Sequence, residues 1–107
     1  MIKLETRSQH DNFIQDNGLA IVKYSASWCK PCTALANTIN DMTDEELNGF
    51  KVADLDCEEE EFFDLCDENK IKNLPTLLFY VNGTQVERIS GAIARPKLSA
   101  VTSELVK

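Results

Sequence analysis

Residues 19–32 read LAIVKYSASWCKPC, and this stretch decides the fold. Its first six residues are apolar except for Lys23, which is typical of a central strand covered on both faces. Beyond the cysteines, apolar residues recur at the helical spacing i, i+4 and i+7: Leu35, Ile39 and Met42. The stretch therefore predicts a buried strand, a turn that carries two cysteines, and a helix that Gly49 ends.

The rest of the chain alternates predicted strands and helices. Before the deciding stretch, a short strand over 2–6 precedes a helix that Ser8 caps and Asn17-Gly18 closes. After it, the pattern predicts a strand over 50–56, a helix over 59–69, strands over 76–81 and 84–89, and a closing helix from Arg95. Asn82-Gly83 is a hairpin signal, because both turn positions need positive φ.

This order, β-α-β-α-β-α-β-β-α, predicts an α/β fold. Helical crossovers imply parallel early strands, and the hairpin adds an antiparallel pair. We expect one domain over residues 1–107, with a mixed central β-sheet and helices on both faces, because 107 residues suffice for one core but not two.

The charge balance argues against nucleic acid as a partner. The formal net charge is −7, whereas nucleic-acid affinity rests on Lys and Arg displacing counterions from phosphates. Acidic residues cluster at 44–46 and over 54–68. We interpret them as a solvated face rather than as a docking patch for a basic partner.

The N-terminal residues MIKLETR contain no apolar core of a signal peptide, and no segment approaches transmembrane length. We therefore expect no membrane partner and a location in the cytoplasm or another reducing compartment. Four cysteines are also too few for a disulfide-stapled secreted scaffold.

The pair Cys29 and Cys32 carries the chemistry. Two cysteines separated by two residues at a helix start can close a small disulfide reversibly. The positive end of the helix dipole favours a thiolate at Cys29, and Lys30 adds a cation. Cys32 lies further inside and suits the resolving role. Pro31 stiffens the loop without losing a helical hydrogen bond, and Trp28 offers an apolar wall.

Two structural alternatives compete with a redox couple: a zinc half-site and inert core thiols. Zinc needs about four ligands, and Cys57, Cys66 and His10 form no second pair at a finger-like spacing. We therefore expect no metal site. Inert core thiols are also disfavoured, because a buried cysteine needs neither a second cysteine three residues away nor a proline between them.

The segment from Ser25 to Cys32 resembles the active-site segment of thioredoxins, which usually read Trp-Cys-Gly-Pro-Cys. Residues 73–79, NLPTLLF, resemble the second signature of the family. The resemblance implies a cis peptide bond before Pro75, facing the redox pair. The hairpin turn and Gly91 also match the family, so the resemblance extends along nearly the whole chain.

The resemblance implies the thioredoxin fold and a protein-disulfide reductase in which Cys29 attacks and Cys32 resolves. The implied substrate-binding residues are Trp28, Leu74, Pro75 and Gly91. The implied partners are disulfide-containing proteins and a thioredoxin reductase that supplies electrons, with no bound cofactor. We expect a monomer. A docking or assembly module, and a disulfide oxidase or isomerase, are the alternative functions.

The chain departs from the family at two positions near the cysteines. Lys23 stands where thioredoxins usually carry a buried Asp, and we expect its side chain to snorkel to the edge of the sheet. The alternative is that Lys23 pairs with Asp54 on the neighbouring strand and that the couple relays protons. Lys30 replaces the usual glycine and affects the redox potential in a direction that the sequence does not give.

Two further cysteines lie outside this motif. Cys57 follows the second central strand, and Cys66 falls on the inward face of the third helix. We interpret both as small core residues, with a regulatory disulfide or an oxidation site as the alternative.

Overall fold

A computed structural model describes all of residues 1–107. In chain order its elements are β1 (Ile2–Lys3), α1 (Arg7–Asp16), β2 (Leu19–Ser25), α2 (Lys30–Asp41), β3 (Lys51–Asp56), α3 (Phe63–Glu68), β4 (Thr76–Val81), β5 (Thr84–Ser90) and α4 (Arg95–Leu105). A 3₁₀ turn, Glu60–Phe62, leads directly into α3. The predicted order of strands and helices is confirmed.

The strands form one five-stranded sheet in the order β1-β3-β2-β4-β5. β1 and β2 both run parallel to β3, since helical crossovers connect them. β4 runs antiparallel to β2, and β5 antiparallel to β4. The hairpin residues Asn82 and Gly83 have φ values of 50° and 83°, as the predicted turn requires. The mixed sheet is therefore confirmed.

Helices cover both faces of the sheet, and each face has its own apolar core. The core under α1 and α3 includes Phe13, Val22, Leu55 and Leu65. The core under α2 and α4 includes Ile21, Leu35, Phe79 and Leu98. β2 contributes to both cores, which is why it is apolar along nearly its whole length.

The start of α1 differs from the prediction. Thr6, not Ser8, is the N-cap: its hydroxyl accepts the Gln9 backbone N–H at 3.1 Å, and the Gln9 side chain accepts the Thr6 N–H at 3.3 Å. This reciprocal capping box satisfies two of the free donors of the first turn. Ser8 has no glutamate or glutamine three residues later, so the cap prediction was wrong.

The second helix is shorter than predicted. α2 ends at Asp41, and a separate turn follows in which the Thr43 hydroxyl accepts the Glu46 N–H at 3.1 Å. Arg95 bridges the two segments, because its guanidinium pairs with the carboxylates of both Asp41 and Glu46. Gly49, with φ of 84°, then turns the chain into β3.

The third helix is also shorter than the predicted range of 59–69. Asp56 holds the chain in a tight turn after β3: its carboxylate accepts the Glu58 N–H at 2.8 Å, and its carbonyl accepts the Glu59 N–H at 3.1 Å. The helix forms only beyond this turn, and it ends before Lys70, which adopts a positive φ of 53°.

Candidate active site

The two motif cysteines lie where β2 ends and α2 begins. Cys29 is the N-cap of α2, and its backbone N–H donates to the Ala26 carbonyl at 3.2 Å. Cys29 and Cys32 form a disulfide with their Cα atoms 5.2 Å apart. Cys29 is 5% exposed and Cys32 is 2% exposed. Both residues of the pair are therefore buried, and Cys29 is slightly the more exposed of the two.

Local structure prepares the position of Cys29 for a thiolate. The Cys32 backbone N–H points at the Cys29 sulfur, 3.3 Å away. This N–H belongs to the first turn of α2, where backbone donors lack helical partners and the helix dipole is positive. Pro31 occupies the same turn and has no N–H to leave unsatisfied. The arrangement stabilises negative charge on the Cys29 sulfur when the disulfide opens.

The segment before β4 faces this disulfide. The Leu74–Pro75 peptide bond is cis, as the resemblance implied. Leu74 packs against the small cluster formed by Ala26, Cys29 and Cys32. Neither the N–H nor the carbonyl of Leu74 takes part in a hydrogen bond within the chain. An unpaired stretch of backbone therefore lies beside the redox pair.

Gly91, the residue directly after β5, supports this segment. Its backbone N–H donates to the Pro75 carbonyl at 2.7 Å, which fixes the end of the hairpin next to the cis bond. Gly91 has φ of 90°, a conformation that glycine adopts at no steric cost. No atom would lie within 4 Å of a Cβ added there, so the surface beside Pro75 is open.

Trp28 projects from the surface next to Cys29, with 67% of the residue exposed. Its indole N–H donates to the carboxylate of Glu58, at the start of the segment that follows β3. Sequence reasoning missed this role of Glu58, because the residue belongs to an acidic run interpreted as a solvated face. Nothing in the pattern distinguishes Glu58 from its acidic neighbours.

Lys23 is buried rather than snorkelled, so the preferred interpretation of this residue was wrong. Its side chain is 2% exposed, and the Nζ atom donates to the Asp54 carboxylate at 3.0 Å. The parallel register explains the pair, since Lys23 lies directly opposite Asp54 on β3. The alternative pairing of Lys23 with Asp54 is what the structure contains.

Ser25 joins this pair, and sequence reasoning did not single it out. Its hydroxyl donates to the Asp54 carboxylate at 2.7 Å and accepts a hydrogen bond from the Lys23 ammonium. Ser25 lies two residues after Lys23 on the same strand, so both side chains point to the same face. That alternation is the one sequence signal that relates Ser25 to Lys23.

A cavity of about 180 Å³ connects this charged cluster to the redox pair. Lys23, Ser25 and Asp54 line one part of it, and Cys32 lines another. Its volume is large enough for a few water molecules, each of which occupies about 30 Å³ in the liquid. The buried charges and the inner cysteine thus share one polar space.

The residues raised as further metal ligands do not converge. No group of three or more His, Cys, Asp and Glu side chains is arranged to hold a metal ion. His10 instead contacts Asp11, with its Nδ1 atom 2.8 Å from the carboxylate. Burial lowers the pKa of His10, which favours its neutral form.

Cys57 and Cys66 contact each other. Their sulfur atoms lie 3.1 Å apart, and both residues are half-buried against the core under α1 and α3. Packing against that core agrees with the interpretation of both as core residues. Their mutual contact follows from how α3 returns over the end of β3, which sequence spacing did not predict.

The comparisons with known proteins agree with this geometry. The Thioredoxin family model matches residues 1–104. Thioredoxin-1 from Saccharomyces cerevisiae is 31% identical over 91 residues, which cover 84% of this chain and 84% of the yeast protein. A putative protein disulfide-isomerase from Schizosaccharomyces pombe is 38% identical over 82 residues, but these span only 16% of that longer protein.

Solved structures show the same fold. A thioredoxin mutant from Halobacterium salinarum superposes with a TM-score of 0.85 at 23% identity, covering 99% of this chain and 90% of its own. The thioredoxin of Fasciola hepatica gives a TM-score of 0.82 at 26% identity, covering 97% and 98% of the two chains. No helix of this chain combines the length and the apolar character that crossing a bilayer requires.

Proposed function

The chain belongs to the thioredoxin family, and from that premise we propose that it reduces disulfides of other proteins, with Cys29 attacking and Cys32 resolving. Thiol–disulfide oxidoreductase activity follows from family membership together with the Cys29–Cys32 pair. The single observation that carries the proposal is this disulfide at the start of α2, next to the unpaired backbone of Leu74.

The reaction takes two exchange steps. The Cys29 thiolate attacks one sulfur of the substrate disulfide, which forms a mixed disulfide and releases the other substrate sulfur as a thiolate. The Cys32 sulfur then attacks Cys29, which closes the Cys29–Cys32 disulfide and releases the second substrate thiol. Two electrons pass from the protein to the substrate.

Reduction of disulfide-bonded insulin with dithiothreitol as the electron source tests these roles. Cys29→Ser abolishes turnover, because the attacking sulfur is gone. Cys32→Ser accumulates the mixed disulfide, which denaturing electrophoresis without reductant detects. Cys57→Ser is the matched control, since it removes a thiol outside the pair and retains turnover. Full activity of Cys29→Ser would contradict the proposal.

The substrate backbone binds along Leu74 and Pro75 as an added strand. The free N–H and carbonyl of Leu74 supply the pairing groups, and such main-chain hydrogen bonds give affinity without sequence specificity. Trp28 and Gly91 flank the groove. Gly91→Val therefore raises KM for a protein disulfide more than for a small aromatic disulfide. Because valine is strained at a φ of 90°, circular dichroism must first show that the variant is folded. Equal effects on both substrates would argue against strand pairing.

Asp54 acts as the proton acceptor when Cys32 becomes a nucleophile, and Lys23 positions it. The shared cavity supports this role, because it brings Cys32, Ser25 and the carboxylate of Asp54 to one space. Lys23→Met changes the pH dependence of disulfide reduction, whereas a purely structural lysine would alter only the amplitude. An unchanged pH profile would eliminate the relay.

Electrons for the next cycle come from a thioredoxin reductase, and the protein acts as a monomer in the cytoplasm or another reducing compartment. A protein that donates electrons must be re-reduced, and reducing compartments keep such thiols reduced. Coupled oxidation of NADPH with a thioredoxin reductase tests the donor. Alkylation of the thiols in freshly lysed cells tests the compartment, where a reduced Cys29–Cys32 pair is expected.

A disulfide isomerase is the second candidate, because a putative protein disulfide-isomerase is among the relatives. Pro31 before Cys32 favours reduction, since the isomerase branch usually carries histidine there. The reduction potential of the Cys29–Cys32 pair distinguishes a reductase from an isomerase. It is measured by equilibration against glutathione, with Cys57 and Cys66 replaced by Ser. A potential of about −270 mV supports the reductase, and a potential of about −180 mV supports the isomerase.

A further inference from the structure

A second pair of thiols lies outside the active site, at the junction of β3 and α3. Cys57 directly follows the last residue of β3, and Cys66 lies on α3. Their sulfur atoms are 3.1 Å apart. A disulfide bond length is about 2.05 Å, so the sulfurs need to approach by only about 1 Å to bond.

The structure around Cys57 and Cys66 fixes their positions and leaves both residues partly exposed. The Cys57 backbone N–H donates to the Ser25 carbonyl at 2.8 Å, which anchors one cysteine to the sheet. Cys66 lies on the face of α3 that packs against the core, so its sulfur is held opposite Cys57. Both residues are partly exposed, and exposure together with thiolate character makes a cysteine susceptible to small oxidants.

We propose that Cys57 and Cys66 form a second redox site, which a hydroperoxide oxidises to an intramolecular disulfide independently of Cys29 and Cys32. Cys66 attacks the peroxide: an S–O bond forms, the O–O bond breaks, and hydroxide leaves as water after protonation. Cys57 then attacks the Cys66 sulfur: the S–S bond forms, the S–O bond breaks, and the second oxygen leaves as water with the Cys57 proton. Two thiols and one hydrogen peroxide become one disulfide and two waters.

The order of attack follows from the environment of each sulfur. The hydrogen bond from Cys57 lowers the pKa of Cys66, because the Cys66 thiolate accepts it. The same contact raises the pKa of Cys57, and burial raises it further. Cys66 therefore carries the thiolate that meets the oxidant, and Cys57 remains a thiol until the sulfenic acid forms.

The neighbouring disulfide does not compete for this reaction. In the state described by the structure, Cys29 and Cys32 are bonded to each other and hold no free thiol. Cys57 and Cys66 are then the only free cysteines of the chain. The second site consequently responds to peroxide even when the active site is already oxidised.

The test uses the variant Cys29→Ser/Cys32→Ser, whose remaining thiols are Cys57 and Cys66. After treatment with hydrogen peroxide we expect the monomer to lose about 2 Da, the mass of two hydrogens. A protease specific for glutamate cuts between the two cysteines, within Glu58–Glu61. The map without reductant should then show the two cysteine peptides joined.

Two control variants each remove one cysteine of the second pair. Adding Cys57→Ser to the same background must abolish the 2 Da loss and leave an oxygen adduct of about 16 Da on Cys66, whereas adding Cys66→Ser must abolish the loss and leave the Cys57 thiol unreacted. A parent variant in which peptide mapping finds Cys57 and Cys66 as free thiols or as oxygen adducts overturns the proposal, whereas oxygen on Met1 or Met42 does not bear on it. Wild-type protein, oxidised and mapped without reductant, gives the same decision if the serine replacements disturb folding: two separate disulfides are expected.

Discussion

Asp54→Asn should destabilise the protein far more than Lys23→Met does, although each variant removes one half of the same ion pair. The Lys23 side chain is 2% exposed, whereas that of Asp54 is 26% exposed. Removing the carboxylate charge leaves a buried ammonium without its counter-ion, which costs about 3–5 kcal/mol. The Ser25 hydroxyl still accepts a hydrogen bond from Lys23, so we expect a loss of about 3 kcal/mol, at the lower end of that range.

Lys23→Met leaves a different partner behind. Methionine keeps most of the hydrocarbon stem packed, and the remaining carboxylate is partly hydrated. Asp54 also retains the hydrogen bond from the Ser25 hydroxyl at 2.7 Å. The variant loses both hydrogen bonds of the ammonium, but its two acceptors, Ser25 and Asp54, stay bonded to each other, so the expected loss is only about 1 kcal/mol. The double variant Lys23→Met/Asp54→Asn buries no charge, and it should be more stable than Asp54→Asn alone by about 2 kcal/mol.

Urea unfolding of the disulfide form at pH 7 measures these differences. Far-UV circular dichroism is the suitable probe, because Trp28 is largely exposed in the folded protein and its fluorescence reports little of the core. The free energies follow from the midpoints if the slope m is unchanged. Equal losses for the two single variants, or a double variant less stable than Asp54→Asn, would refute the reasoning.

Three further outcomes follow from other contacts. Burial lowers the pKa of His10, so the unfolded chain binds a proton more readily; stability should fall as pH drops below about 6.5, and urea midpoints of His10→Gln should show less of this slope. Closing the Cys57–Cys66 disulfide constrains a loop of about ten residues, which should raise the unfolding free energy by about 2–3 kcal/mol in peroxide-treated Cys29→Ser/Cys32→Ser, and calorimetry of the treated and untreated forms would detect it. Glu58→Gln weakens the charge-assisted hydrogen bond to the Trp28 indole, so the emission maximum of this single tryptophan should shift, whereas Glu59→Gln should leave it unchanged.

Local patterns predicted the elements of this fold, while contacts between distant residues escaped them. The range 76–81 was predicted without error for β4, because a run of apolar residues bounded by turn signals leaves little freedom. The Asn82-Gly83 hairpin followed from backbone sterics alone. The Thr6 cap, by contrast, depends on a reciprocal bond with Gln9 that competes with several nearby polar residues.

The site residues also fall into those that local sequence predicts and those that contacts between distant residues determine. The redox pair was readable because its chemistry requires two cysteines at one spacing, and spacing is a property of the sequence. The positions of Ser25, Glu58 and the Cys57–Cys66 contact depend on how β3 and α3 lie against β2, and no local pattern encodes that. The Lys23–Asp54 pair is intermediate. Because both residues lie on predicted central strands, the sequence raised the pair as an alternative, but only the register of the sheet places them opposite each other.

The unequal burial of Lys23 and Asp54 also determines which of the two side chains can exchange protons with water. The ammonium of Lys23 needs a counter-charge, because a buried ion without one is strongly destabilised. Lys23 is the enclosed member and Asp54 the one that reaches water, so a proton taken from Cys32 leaves through the carboxylate. Asp54→Asn should therefore slow the resolving step at every pH at which Cys32 is a thiol, because solvent alone then takes the proton, whereas Lys23→Met keeps the carboxylate and should only displace the pH profile. Pre-steady-state trapping of the mixed disulfide across pH distinguishes the two variants, and the reverse pattern would assign the relay to Lys23.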